Sequence, residues 1–414
     1  MPGLQSAPPV LAELLADERY HIEFNGYLSN HVKHALIALA GLGAPADRIQ
    51  EYWDQYTSET PYGLQLQRAE KLSPEDAPKF TSTTYQLALG RKRYGDFAAL
   101  CSFFNEEYDR LGGDGVIQQY APSLLPGLVG ALTHGIIHLG WALDARSRWM
   151  TVEGLAYMVY CSLSVHPERF VHGKHDEGSP LESLQRVADG FHQEGIHDWV
   201  EEVKALDKYS EGSGFRSELV PAGFQWHLAK VLEEGHPMFL ELPTWLDTLD
   251  YDDILEQMYK AVTVLYLSTT GQPEAPQKPG NFFVLHLVTS LWALEKVLLK
   301  LPDADRRAGL KCFWSGMLGL IFTSGDFPTS NQIAAIAEKF GNAQDGDACA
   351  VADGEEWAQI VPRAMAEEEE HNIKLAYVAR ELWRRYNGWS GFRVGASSFT
   401  ETPNTGCSKT SLKA

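Results

Sequence analysis

Apolar residues recur at intervals of three and four along most of this chain, as in HALIALAGL, ALEKVLLKL and LAYVARELWRRY, and long Val/Ile/Thr alternations are missing. A period near 3.6 places one apolar stripe along a helix, whereas a half-buried strand needs a period of two. An all-α protein follows. Its punctuation agrees: Ser29-Asn30 offers an N-cap before His31, and Gly41-Leu42-Gly43-Ala44-Pro45 supplies a glycine stop with a proline just beyond. A further helix starts near Ala46. Later helices are predicted over roughly 84–111, 124–145, 150–163, 181–206, 214–234, 251–269, 281–300, 305–323, 330–340 and 356–387. Segment 166–180 reads as a polar loop, 270–280 as a linker-like stretch, and 393–414 as a mobile Ser/Thr-rich tail. No repeat of 20 to 50 residues is present, which excludes a helical solenoid.

Composition narrows the function. With 35 basic and 55 acidic side chains among 414 residues, the net charge is −20. Phosphate backbones and anionic membranes need Lys/Arg-rich faces, so neither nucleic acid nor a membrane is an expected partner. Cys101, Cys161, Cys312, Cys349 and Cys407 are odd in number and form no close pair, against both a disulfide framework and a thiolate zinc site. The start lacks the basic and apolar regions of a signal peptide, no run approaches the ~18 apolar residues of a membrane span, and no Asn-x-Ser/Thr sequon occurs. A cytoplasmic protein is expected.

Fourteen histidines remain to be placed. His166, His172, His175, His192, His197 and His236 fall in Pro/Gly-rich or acidic segments, where a surface role is the simpler account. His134 and His138 differ: they sit in GLVGALTHGIIHLGWAL, within a stretch free of charge from Ser123 to Leu143. Four residues apart on a helix, they diverge by about 40°, so both imidazoles leave one face and can converge on one ion. Gly127, Gly130 and Ala131 make that face small enough for a close neighbour. The structural alternative is a pair of core histidines satisfied by hydrogen bonds. His286 lies in the apolar helix NFFVLHLVTSLWALEKVL, and His31 and His34 form HxxH in a first helical turn, where either can face inward but hardly both. His371 and Lys374 share a face in EEEEHNIKLAYVARELW, although Glu370 and Lys374 also fit an i, i+4 ion pair on a solvated face. Several helices thus present histidine from inner faces without HExxH or ExxH, a donor set that suits Fe, Zn, Cu or Ni rather than Mg or Ca.

These stretches resemble the questin oxidase-like family: SNHVKHALIALAGLGA, LGRKRYGDFAALCSFFNEE, LLPGLVGALTHGIIHLGWAL, FFVLHLVTSLWAL and HNIKLAYVARELW span residues 25 to 387, and HGxIHxG is the most specific of them. The resemblance implies one helical oxygenase domain over 1–392, containing both the 166–180 loop and the 270–280 segment. It implies oxidative, Baeyer–Villiger-like cleavage of an anthraquinone or related polycyclic phenol or quinone in secondary metabolism. It also implies a mononuclear non-haem Fe(II) with O2 as co-substrate, held by His31, His134, His138 and His286. Lys374 would be a carboxylated lysine ligand and His371 the least secure member; His34 stands where an apolar residue is more usual and competes with His31.

Chemistry tests part of that transfer. No GxGxxG follows a strand, so no flavin is expected; NADPH is a candidate reductant, directly or through a partner reductase. An anionic ligand would bring Fe(II) from +2 to +1, and a lysine carbamate supplies one if burial depresses the amine's ordinary pKa near 10.4. The substrate would be a small aromatic polyketide-type molecule. Eleven Trp, seventeen Tyr and eighteen Phe offer surface to stack it, although Trp141 and Trp292, a turn beyond His138 and His286, are as readily core residues. Two other readings use the same histidines: a zinc-dependent hydrolase, which would favour HD or carboxylate pairs on the inner helices, and a non-catalytic helical binding protein.

Overall fold

The computed structural model describes residues 7–401 apart from 71–72, 74, 76, 177, 194, 271–279 and 342–346. Helices make up nearly all of its regular structure, and the described strands are confined to two small pairs. Five helices position the buried histidines: α1 (Val32–Leu42), α2 (His134–Ala145), α3 (Arg148–Tyr160), α4 (Phe282–Leu298) and α5 (Glu370–Arg385). Helix α2 packs between α3 and α4, while α1 lies on α5, so segments before and after 270–280 share one core. Most of the 270–280 stretch lies outside the described residues.

Local chemistry sets the helix ends. Asn30 Oδ1 accepts from Val32 N at 3.2 Å where α1 begins, and Gly43, at φ 98°, ends it in the left-handed conformation that glycine adopts without a Cβ clash. Asn281 caps α4 by accepting from Phe283 N and Val284 N at 2.8 and 3.1 Å. Glu369 caps α5 by accepting from His371 N and Asn372 N, both at 3.0 Å. Gly140 lets α2 meet α4 closely, since a Cβ there would stand 2.3 Å from Ala293 Cα.

Several sequence-based boundaries move. The helix expected over 84–111 is Asp96–Leu124, bent at Gly112, with only a short 3-10 turn at Tyr85–Ala88. Residues 124–145 do not form one helix, because Ala131, Leu132 and Thr133 all adopt positive φ (47°, 54° and 66°) and α2 starts afresh at His134. Three consecutive non-glycine residues there cost of order 1 kcal/mol each, a price that no local sequence signal announces. The small face at Gly130 receives the chain at Cys161, not a ligand: a Cβ on Gly130 would fall 1.7 Å from Cys161 O. Predicted helix 181–206 divides into Pro180–Gln193 and Ile196–Lys204, 214–234 shortens to Phe224–Glu234, and 356–387 divides into Asp347–Ala366 and α5.

The polar loop contains a strand, Val171–His175, paired in parallel with Glu241–Pro243. Its backbone partner lies some seventy residues away, beyond the reach of local patterning. Helix Ser390–Glu401 packs on α5, and residues 402–414 of the expected Ser/Thr-rich tail lie outside the described residues. No helix among the described residues is long and apolar enough to cross a membrane.

Candidate metal centre

Four histidines close a ring at the centre of this core. His31 precedes the first residue of α1, His134 opens α2, His286 lies one turn into α4, and His371 is the second residue of α5. Ring centroids are 4.6 Å apart for His31–His134, 4.9 Å for His134–His286, 5.0 Å for His286–His371 and 4.8 Å for His371–His31, all edge-on. One ligand atom each from His31, His134 and His371 lie within 4.8 Å of one another. All four side chains are buried. Phe282 closes one flank, 4.6 Å from His286 and 5.3 Å from His371.

The ring nitrogens are divided in a consistent way. Nδ1 of His134 bonds Ala131 O, the carbonyl presented by the left-handed turn; Nδ1 of His286 bonds Phe282 O at 2.6 Å; and Nδ1 of His371 bonds Glu369 Oε1 at 2.5 Å. Each acceptor is a carbonyl or carboxylate, so each Nδ1 carries the proton and each Nε2 carries the lone pair. Those three Nε2 atoms are buried and have no hydrogen-bond partner. Orphaned buried acceptors are costly in a folded protein. Imidazoles that bind metals through Nε2 and hold Nδ1–H on an acceptor have this arrangement, so the residues present fit a late first-row transition metal.

Electrostatics keep the rings neutral. Burial is the largest cause holding all four below the ordinary histidine range; the next is Lys374 for His31, His134 and His371, and His134 for His286. Lys374 is fully buried with Nζ 3.0 Å from His31 Nδ1. Burial lowers its amine to about 8 against the opposing pull of Glu370 and Glu369. Those two carboxyls are raised to about 7, first by burial. Tyr62 donates to Glu370 Oε1 at 2.6 Å and Tyr56 donates to the same oxygen at 3.3 Å, while Glu370 Oε2 is buried without a partner.

The expected convergence of His134 and His138 does not occur. His138 Nδ1 lies 2.9 Å from His34 Nε2, and its Nε2 lies 3.3 Å from Glu153 Oε2, in ion-pair range but poorly aligned for a hydrogen bond. The two rings have different partners: His134 Nδ1 is held on Ala131 O at the start of α2, whereas His138 meets His34 beside α1 and Glu153 on α3. His31 and His34 are both inward, contrary to the helical-wheel expectation, since His31 stands at the cap and is not bound to the face of the helix that follows. The Glu367–Glu370 run is not a solvated face throughout: Glu370 shares the buried stripe of Ile373, Lys374 and Tyr377. Trp141 and Trp292 are fully buried with centroids 4.6 Å apart and pack with Tyr377. Of the six histidines assigned to the surface, none is buried.

Glu369, Glu370, Glu153 and Lys33 are the participants that sequence reading missed. Glu369 carried one usable signal, its place immediately before the α5 first turn as an acidic cap. Glu370 carried another, at i, i+3 and i, i+7 from Ile373 and Tyr377.

Comparison with known proteins supports the resemblance. The family described as questin oxidase-like matches residues 28–379. The Baeyer–Villiger oxidase ptaJ of Pestalotiopsis fici is 24% identical over 134 residues, covering 31% of this chain and 29% of that protein. The Baeyer–Villiger monooxygenase dmxR6 of Cryptosporiopsis sp. is 27% identical over 151 residues, covering 34% of this chain and 31% of its own length. The matched stretches thus span about a third of each of these curated relatives.

Proposed function

We propose that this chain, which belongs to the questin oxidase-like family, is a non-haem iron-dependent oxygenase that opens a ring of an anthraquinone or related polycyclic phenol or quinone in secondary metabolism. The observation that carries the metal part is the closed ring of four neutral imidazoles with three unpartnered Nε2 atoms. The names of the two relatives support oxygen insertion beside a carbonyl. When bound, an iron(II) ion with open positions would supply a meeting place for O2 and an electron-rich phenolate and would lower the spin and proximity barriers to their reaction.

In this reading His31, His134, His286 and His371 would hold the ion, and His138 would not. Lys374 would supply an anionic oxygen as a carbamate: its neutral amine, which burial favours, adds CO2 and gives up one proton to the buried Glu369 and Glu370 carboxyls that interact with it. Glu369 keeps the His371 proton on Nδ1, and Ala131 O and Phe282 O do the same for His134 and His286. Burial keeps the imidazoles free of protons that would compete with the ion. NADPH, used directly or through a partner reductase, is the candidate electron source, and the substrate is a small aromatic polyketide-type molecule.

The test is oxygen uptake by untagged protein loaded with Fe(II), with an anthraquinone or anthrahydroquinone as substrate, with and without NADPH. Oxygen consumption matched by a ring-opened product supports the proposal. One equivalent of zinc with no oxygen consumption turns the reading to a hydrolase, and protein that retains no metal turns it to a binding protein.

A further inference from the structure

A chain of buried polar contacts leads away from the histidine ring on the side of α1 and α3. Lys33 Nζ pairs with Glu153 Oε2 at 2.7 Å, Glu153 Oε2 faces His138 Nε2 at 3.3 Å, His138 Nδ1 meets His34 Nε2 at 2.9 Å, and His34 Nδ1 meets His31 Nδ1 at 3.3 Å. All five side chains are buried. None of the described residues outside this chain gives His31 Nδ1 a carbonyl or carboxylate acceptor like those of the other three rings, so its proton must be placed in another way.

We propose that Glu153, acting through His138 and His34, sets the tautomer of His31 that leaves Nε2 free for a metal. A carboxylate oxygen 3.3 Å from a ring nitrogen repels a lone pair and attracts an N–H, so His138 is protonated at Nε2 and its Nδ1 is the acceptor. His34 must then donate from Nε2, which leaves the lone pair on its Nδ1. His31, facing that lone pair, carries its proton on Nδ1 and its own lone pair on Nε2. The result matches the arrangement that backbone carbonyls impose on His134 and His286 and that Glu369 imposes on His371. Glu153 is thus a positioning residue three contacts from the candidate ion, and the inference rests on the metal reading above.

Lys33 gives the chain its polarity. Burial alone would raise the Glu153 carboxyl, but the ammonium of Lys33 and the neighbouring His138 outweigh it and leave the group below the usual range. Lys33 also donates to Asp17 O at 2.8 Å, which anchors the ammonium. Lys374 Nζ also lies 3.0 Å from His31 Nδ1, on the same nitrogen that faces His34.

The experiment compares wild type with the double variant Lys33→Met/Glu153→Leu, which removes the ion pair without leaving a buried unpaired charge, and with Glu295→Gln as control. Glu295 is a buried carboxylate paired with Arg385 and Tyr259, so its loss reports the general cost of disturbing the core. Co(II) is the probe, titrated by its visible absorption, and the nitrogen resonances of 15N-histidine-labelled, metal-free protein report each ring's tautomer. The proposal predicts Co(II) binding weaker by roughly 10- to 100-fold in the double variant, the range seen when partners behind metal ligands are lost. It predicts unchanged binding in Glu295→Gln, and His31 protonated at Nδ1 in wild type and in Glu295→Gln but not in the double variant. Equal Co(II) affinity in wild type and double variant overturns it. A wild type that binds no Co(II) removes the metal reading, and the His31 resonances then decide the tautomer alone: protonation at Nδ1 sustains the assignment and protonation at Nε2 overturns it.

Discussion

Replacing Glu369 by Gln should strengthen the metal-free protein and weaken its hold on a metal. The Glu369 carboxyl is raised to about 7, with burial the largest cause, against about 4.3 in an unfolded chain. A raised carboxyl stabilises the folded state fully only below its unfolded pKa, and that stability is lost as pH climbs from about 4 to about 7. Integrated over this window, the native protein forfeits about 3 kcal/mol at pH 7 on behalf of Glu369. Gln keeps a carbonyl to cap the first amides of α5 but gives up the charge-assisted bond to His371 Nδ1, about 1 kcal/mol. A net gain of about 2 kcal/mol remains. With an unfolding entropy of about 2.1 cal/mol/K per residue over 414 residues, that gain raises Tm by about 2 °C. Scanning calorimetry of metal-free protein at pH 5.0 and pH 7.5 measures it: the gain should be present at pH 7.5 and much smaller at pH 5.0. Metal affinity should fall by about 10- to 100-fold, since His371 loses the acceptor that fixes its tautomer. A variant less stable than wild type at pH 7.5, or a gain that does not vary with pH, would refute the reasoning.

Other perturbations read different parts of the account. Lys374→Met should fold with wild-type circular dichroism yet lose bound iron and oxygen uptake; full iron occupancy in the variant would remove the lysine from the ion's ligands. With limiting CO2, activity should rise as pH passes through about 8, where the Lys374 amine loses its proton, and added bicarbonate should lift the low-pH limb; a bicarbonate-independent profile would argue against a carbamate. Gly140→Ala should lower stability by about 1–3 kcal/mol or more, because the new methyl would lie 2.3 Å from Ala293 Cα. Chemical denaturation of the metal-free protein checks that value, and wild-type stability would mean α2 and α4 are less closely seated than described.

Much of the helical frame was legible in the sequence because a helix announces its buried stripe every three to four residues. Tyr251–Thr269 and Phe282–Leu298 lie within a few residues of their predicted bounds. The divided helices were harder to see: Leu132 and Thr133 carry no glycine to advertise a left-handed turn, so residues 124–145 read as continuous. A helical wheel places His138 beside His134 because it leaves out the partners outside α2, Ala131 O for His134 and His34 and Glu153 for His138, that draw the two rings apart. The four glutamates before His371 look solvated in the sequence, yet Tyr56 and Tyr62, about three hundred residues upstream, supply the hydroxyls that let Glu370 be buried. Partners that distant leave no local trace. The buried status of His134 and His286 is legible because each lies in a stretch whose apolar pattern leaves little choice, whereas Lys374, which fits an exposed ion pair with Glu370, is buried in the fold.

The measurement that bears most directly on the central claim is the metal content of untagged protein, by elemental analysis, for wild type and for His134→Ala, His286→Ala and His138→Ala. The four-imidazole account predicts one iron per wild-type chain, loss of that iron in His134→Ala and in His286→Ala, and, in His138→Ala, one iron at saturation held roughly 10- to 100-fold more weakly, since that variant breaks the chain behind the site and removes no ligand. Full iron in His134→Ala and His286→Ala, or a wild-type protein that holds no iron after reconstitution, would contradict it.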